Sequence, residues 1–354
     1  MKKHQKLRTI IFCIILILTA AVLIAFPKRA AEGAYNGIVN CLEIIIPSLF
    51  PFMVLSVFLT QSGLFENVFY IPSRLISRLI GINQKYCSLF LLSMIGGYHS
   101  AAKSACLLYK KGEISAENAL YLLCFATNAG PAFLISAVGS GMFLSTSLGV
   151  ILYLSGLLSS FTLMVFYSSK IKENKINLKY KSKEKMLVCF VKSVKESCTT
   201  MSAMCAFIIL FSVFITLLPN FSEKHFSLQA IIYGFAEVTA GCSAAAREIS
   251  LISVLFAAAI CGWGGLCVIF QIYAIFSEVK IKMGRFVYSR LLHSAFSALY
   301  TFLLVLVIPI RTEQTFISNS SDAIASFISA PIPALFLLIC CVCFPVYLTH
   351  QKKL

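Results

Sequence analysis

Residues 86–109 read YCSLFLLSMIGGYHSAAKSACLLY, and the fold turns on how they are understood. The stretch is long enough for a membrane helix, which needs about 20 mainly apolar residues. Its ends are apolar, but its centre, Gly96-Gly97-Tyr98-His99-Ser100, is small and polar. Lys110-Lys111-Gly112-Glu113 follows. A segment that crossed here would carry these lysines to the outer face, against the retention of Lys and Arg in cytoplasmic loops. A hairpin that enters and returns keeps them inside. Irregular backbone at membrane depth is tolerated only where protein buries it or water reaches it, so the tip of such a hairpin marks an interior site.

Residues 228–250 repeat the pattern of apolar flanks around a small-residue centre. Gly97-Tyr98-His99-Ser100-Ala101-Ala102-Lys103 aligns without gaps to Gly241-Cys242-Ser243-Ala244-Ala245-Ala246-Arg247. Downstream, Thr127-Asn128-Ala129-Gly130-Pro131 takes the place of Cys261-Gly262-Trp263-Gly264-Gly265, once about ten extra residues near Lys111 are allowed for. Gly and Ala also gather wherever membrane helices pack closely, so the short match counts less than the shared order. Each copy, 36–168 and 198–310, reads as hairpin, interrupted span, full span. The copies start from opposite faces, which makes an inverted-topology repeat. Interrupted segments at corresponding positions are the best sequence pointer to a transporter's substrate site. A broken helix exposes free N–H and C=O groups near the midplane, and helix N-termini attract anions.

Working outward, the first span is 9–27, preceded by Lys2, Lys3, Lys6 and Arg8 and lacking a clear small-residue cleavage site. It is read as uncleaved, with its N-terminus inside. Residues 36–60 cross next, broken by Pro47 and Pro51, and 67–82 is an amphipathic piece with Arg74 and Arg78 on its polar side, suited to the cytoplasmic interface. Further crossings are expected at 118–140, 145–167, 198–218, 251–276, 286–310 and 331–348. The lysine-rich stretch 170–185 then falls in the cytoplasm, the Ser-rich 311–330 outside, and both termini inside. Only Lys28, Arg29, Lys224, Arg247 and Arg311 lie on the outer half. The expected fold is an all-α polytopic membrane protein, one membrane domain over residues 1–354, with about eight transmembrane helices plus two re-entrant hairpins.

Composition agrees. Apolar residues make up 59% and charged residues 12%, about half the charged share of a soluble domain. The net charge of +16 sits in short loops between apolar runs and forms no basic stripe interleaved with aromatics, so nucleic-acid binding is rejected. The 14 cysteines lie mostly inside apolar runs and read as small buried side chains. Asp322 is the only aspartate, which excludes Asp-rich Mg²⁺ sites. No H-E-x-x-H or paired-Asp motif is present, and no enzyme activity is expected.

Several motifs resemble a known family. They are Ile46-Pro47-Ser48-Leu49-Phe50-Pro51-Phe52, Gly97-Tyr98 ahead of Ala102-Lys103, Lys111-Gly112-Glu113-Ile114-Ser115, Thr127-Asn128-Ala129-Gly130-Pro131, Glu237-Val238-Thr239-Ala240-Gly241-Cys242, and Gly264-Gly265-Leu266 with Gln271. In combination they resemble the YlbJ family of sporulation integral membrane proteins, with nucleoside-recognition (Gate) domains, over roughly residues 36–310. The family is similar in plan to concentrative nucleoside transporters. The resemblance implies a role in moving dipicolinate across the mother-cell-derived membrane toward the forespore. One departure stands out: His99-Ser100-Ala101 occupies the place where the resemblance calls for Pro, a small residue and Gly.

Ionisable groups inside a membrane are costly, so each is a functional candidate. Lys103 and Arg247, at matching places, are expected to hold an anion, although either can instead snorkel to an interface. Glu237 is expected to couple transport to H⁺ or Na⁺, or to pair with Arg247. Thr127, Asn128 and Gly130 mark the first break, and Gln271 follows the second. Tyr98, His99, Ser100, Thr239 and Ser243 complete the candidate lining, with Tyr98 able to stack on a ring or simply to pack. The expected function is a secondary transporter of a small organic anion, working without a cofactor. The alternatives are a nucleoside carrier and a non-transporting membrane assembly factor. The expected partners are the solute and the bilayer, with a homo-oligomer left open.

Overall fold

The computed structural model describes residues 2–171, 185–218 and 226–308, apart from 278, 280 and 282. The expected span 331–348, the Ser-rich loop and most of the lysine-rich loop lie outside the described residues. Every regular element among the described residues is helical. In order they are α1 (Lys2–Ala25), α2 (Pro27–Asn40), a π-helical turn (Cys41–Ile45), α3 (Ile46–Ser62), α4 (Phe65–Val68), α5 (Tyr70–Ile80), α6 (Gln84–Lys110) and α7 (Ala116–Ala126). A π-helix (Ala132–Met142) follows, then α8 (Thr146–Ser168), α9 (Met186–Leu217), α10 (Phe226–Ala236), α11 (Val238–Ala245), α12 (Leu251–Trp263), α13 (Gly265–Ile275) and α14 (Gly284–Val307).

Five helical stretches are long and apolar enough to cross a membrane: Pro27–Ser62, Thr146–Ser168, Met186–Leu217, Leu251–Ile275 and Gly284–Val307. The shorter Thr9–Ala25, Ala116–Ala126, Ala132–Met142 and Ser227–Ala236 are apolar too. Large hydrophobic side chains such as Ile17, Ile24, Phe166, Leu187, Leu306 and Val307 point outward. That much exposed apolar surface suits hydrocarbon rather than water. In α5, Ile71, Leu75 and Leu79 are exposed along one stripe while Ser73 is buried, so the helix lies against the protein with one edge free.

Local sequence explains the irregular points. Pro47 has no N–H to return to the preceding turn, and the chain loosens into the π-helical turn just before it, so Pro27–Ser62 continues through the proline. Gly33 and Gly37 bring α2 against α9: a Cβ on either would stand 2.7 Å from the Val213 or Ile209 Cα. This is the small-residue spacing by which membrane helices approach closely.

The apolar interior divides in two. One cluster joins Cys41 and Ile45 of the π-helical turn, Met53 and Val57 of α3, Met201, Met204, Ile208 and Phe211 of α9, and Cys267 of α13. The other, larger cluster is built from α6, α7, α8 and α10–α14. Hydroxyls tie α8 to α14 in that second body: Thr301 Oγ1 donates to Ser155 Oγ at 2.8 Å, Ser159 Oγ to the His293 carbonyl at 3.1 Å, and Ser160 Oγ meets His293 Nε2 at 2.9 Å. Such groups find no water in a bilayer and pair across helices instead.

Both expected hairpins fold back. A straight helix over α6 would separate its ends by about 40 Å at 1.5 Å per residue. Yet Lys85 at its start pairs with Glu113 just past its end. The reversal is at Gly97, where φ is 77° and ψ is −171°. In the second hairpin α10 and α11 are separated by Glu237 alone, Gly234 packs on Gly241, and Arg247 Nη1 donates to Gln229 Oε1 at 2.8 Å. The second break therefore falls four residues before the Gly241 that aligns with Gly97.

Candidate functional site

The four breaks come together. Around Gly97, the Gly130 backbone lies close enough that an added Cβ would meet its N at 3.2 Å. Around Gly265, the Glu237 N and Cα lie at 3.2 and 3.1 Å in the same sense. Each hairpin tip thus rests on the interrupted helix of its own half. The Tyr98 ring reaches across to Gly264, and its hydroxyl donates to the Cys261 carbonyl, joining the halves. Gly264 and Gly265 have φ of 84° and 78°, a conformation that favours glycine.

A cavity lies where these breaks meet the α3–α9 body. Its lining includes Gly97, Tyr98 and His99 from the first tip, Gly130 and Phe133 from the first interrupted helix, and Glu237, Val238 and Thr239 from the second tip. Cys267, Val268 and Gln271 of α13 line it together with Leu49 and Met53 of α3 and Met204 and Ile208 of α9. Four helical segments begin at this lining: the outgoing arm of α6 at Tyr98, the π-helix at Ala132, α11 at Val238 and α13 at Gly265. Helix N-termini carry partial positive charge and free N–H groups. One of them is already satisfied. The Glu237 carboxylate accepts from Thr239 N at 2.9 Å and Ala240 N at 2.7 Å, capping α11. No Lys or Arg is among the lining residues.

His99 and Gln271 close one wall. Gln271 Nε2 donates to the Met204 carbonyl at 3.4 Å, so its Oε1 is the atom left facing His99 Nε2, at 2.6 Å. His99 Nε2 therefore carries the proton in this arrangement. The pair links hairpin, α13 and α9 across the cavity.

Other expected residues fall elsewhere. Ser100 Oγ donates to the Gly96 carbonyl at 2.7 Å and stitches the broken helix rather than facing the cavity. Thr127 and Asn128 are buried behind Gly130, with Asn128 packed on Gly156. Ser243 is exposed, on the turn of α11 away from the tip. Lys103 pairs with Glu196 of α9 at 3.0 Å. Arg247 is exposed and clamps the hairpin base. The structure therefore does not join Lys103 and Arg247 in one anion site, nor does it pair Arg247 with Glu237. The reason is the placement of the second tip. With Glu237 equivalent to Gly97, Lys103 corresponds to Ser243, and Arg247 lies a further turn along.

Among the described residues the buried cation is Arg290, in the apolar run of α14. It donates to the carbonyls of Thr127 and Cys124, at 3.2 Å for Cys124, and so caps the C-terminus of α7 beside the first break. A cation favours the negative end of a helix. Sequence reasoning passed over it, although a lone Arg within an expected span was signal enough. Glu196, also passed over, matters only because α9 brings it to Lys103.

The helices, the lipid-facing apolar surface and the buried broken segments define a helical multi-pass integral membrane protein. The chain is 27% identical, over 376 aligned residues covering 92% of it and 91% of the relative, to the sporulation integral membrane protein YlbJ of Bacillus subtilis (strain 168). This likeness supports a YlbJ-type assignment for the chain. No family profile matches the chain, and no solved structure matches it.

Proposed function

We propose that this chain is a secondary transporter, acting in a membrane during spore formation, whose solute binds in the cavity between the two hairpin tips. The observation that carries the proposal is the meeting of four helix N-termini at one buried lining in which only one is capped by a carboxylate. That arrangement favours a small organic anion, because uncapped N–H groups attract negative charge. Dipicolinate is the first candidate, as the family resemblance implies. Binding of an anion beside the Glu237 carboxylate needs a cation with it, and H⁺ or Na⁺ is the coupling ion this requires. A nucleoside is the second reading: no Lys or Arg among the described residues lines the cavity, while the Tyr98 ring and the His99–Gln271 pair offer stacking and hydrogen bonding.

The test is uptake of labelled dipicolinate and labelled nucleosides by proteoliposomes containing the purified chain, under an imposed proton or Na⁺ gradient. Gradient-driven dipicolinate uptake is expected. Nucleoside uptake alone selects the second reading. Absence of flux for both, together with capture of a membrane partner, points to an assembly factor.

A further inference from the structure

The helices that line the cavity meet again beyond it. His99 lines the cavity, and Lys103 is one turn further along α6. Met204 lines it, and Glu196 is two turns back along α9; Met53 lines it, and Gln61 is two turns on along α3. At about 1.5 Å per residue these side chains stand roughly 6–12 Å from the cavity, towards the end that basic-residue bias assigns to the cytoplasm. There they interlock. Lys103 Nζ is 3.0 Å from Glu196 Oε2, and Gln61 Nε2 donates to Glu196 Oε1 at 2.8 Å. Ser193 Oγ donates to Gln61 Oε1 at 3.2 Å, and Lys111 Nζ to the Gln61 carbonyl at 3.0 Å. Val57 and Met201, both buried, fill the space between.

From this geometry we infer that Lys103, Glu196 and Gln61 form a polar latch that closes this end of the cavity. The latch crosses the boundary between the two packed bodies, since Lys103 is on the hairpin of one and Glu196 and Gln61 belong to the other. Its ionic pair is only partly covered, at 21% and 34% exposure, so water can replace either partner when the bodies separate. Parting a fully buried pair would leave both charges uncompensated, and a wholly exposed pair would hold little. An intermediate setting suits a contact that opens and closes. The inference rests on the transport reading of the cavity, but its test needs no solute.

The probe is Cys267, a native, buried residue of the cavity lining. In the full-length chain with Cys267 as its sole cysteine, reconstituted in vesicles, a membrane-impermeant maleimide is added to each face in turn. From the latch face, Lys103→Met and Glu196→Gln are expected to label about tenfold faster than the parent, the change that loss of an ion pair worth about 1.4 kcal/mol produces. Exchanging the charges, Lys103→Glu with Glu196→Lys, is expected to return labelling to within about twofold of the parent, because the pair is rebuilt. Parental rates in both single variants overturn the latch. So does an exchange variant as fast as the single ones, or labelling that rises equally from both faces. Flux with latch-independent labelling retires the latch alone, and latch-dependent labelling without flux retires the transport reading alone.

Discussion

In the first hairpin the chain reverses at Gly97, with φ 77° and ψ −171°; in the second it reverses at Glu237, with φ −147° and ψ 132°. The first tip is set by backbone. Gly97 occupies a region of φ/ψ that side chains resist, and its missing Cβ lets Gly130 approach. The second tip is set by a side chain. Glu237 has ordinary extended dihedrals and holds the turn by capping α11 with its own carboxylate. Here the close approach comes from the other partner, Gly265. The two halves thus solve one packing problem with the glycine on opposite sides of the contact. The consequence is chemical. The first tip turns without a capping side chain of its own at Gly97, while the second brings Glu237, the one charged side chain among the described lining residues, into the cavity.

This contrast can be broken most directly at Gly97. Gly97→Ala is expected to cost about 1–3 kcal/mol in backbone strain and to displace Gly130. Thermal melting of the purified protein should drop, and uptake should be lost. Melting and uptake equal to wild type would mean the tip is not held as described.

Glu237 sharpens the contrast. Glu237→Ala removes the cap and is expected to destabilise the chain by about 0.5–2 kcal/mol, read again by melting. Glu237→Gln keeps one of the two accepting oxygens, so melting should fall less than in Glu237→Ala while the dependence of uptake on the proton or Na⁺ gradient disappears. A Gln variant with unchanged gradient dependence would reduce Glu237 to a cap.

The hairpin bases should matter least. Lys85 pairs with Glu113 and also lies 3.6 Å from Glu66, with Lys85 and Glu113 mostly covered, whereas the exposed Arg247 side chain, among the described residues, bonds to Gln229. Arg247→Ala is expected to shift stability by less than about 1 kcal/mol and to leave the half-saturation of uptake unchanged. A large rise in half-saturation would return Arg247 to the solute site.

Much of this was legible without coordinates. Apolar runs of span length, basic residues gathered between them, and small polar centres at 96–100 and 127–131 identify a helical membrane protein with broken helices. The bilayer imposes this legibility, since it demands long apolar segments and penalises every break that lacks a purpose. Tyr98, His99, Gly130, Glu237, Thr239 and Gln271 could be proposed on the same ground, and these are the candidates that line the cavity.

Tertiary structure decided the rest. The second tip could not be found from small residues alone, because a capping carboxylate turned the chain where a glycine was expected. Which cation is buried, and which ion pairs, depend on contacts between residues far apart in sequence, such as Lys103 with Glu196 and Arg290 with Thr127. Periodicity and charge count record what each segment needs from its solvent. They do not record which distant segment supplies the partner, and that choice is made only when the helices pack.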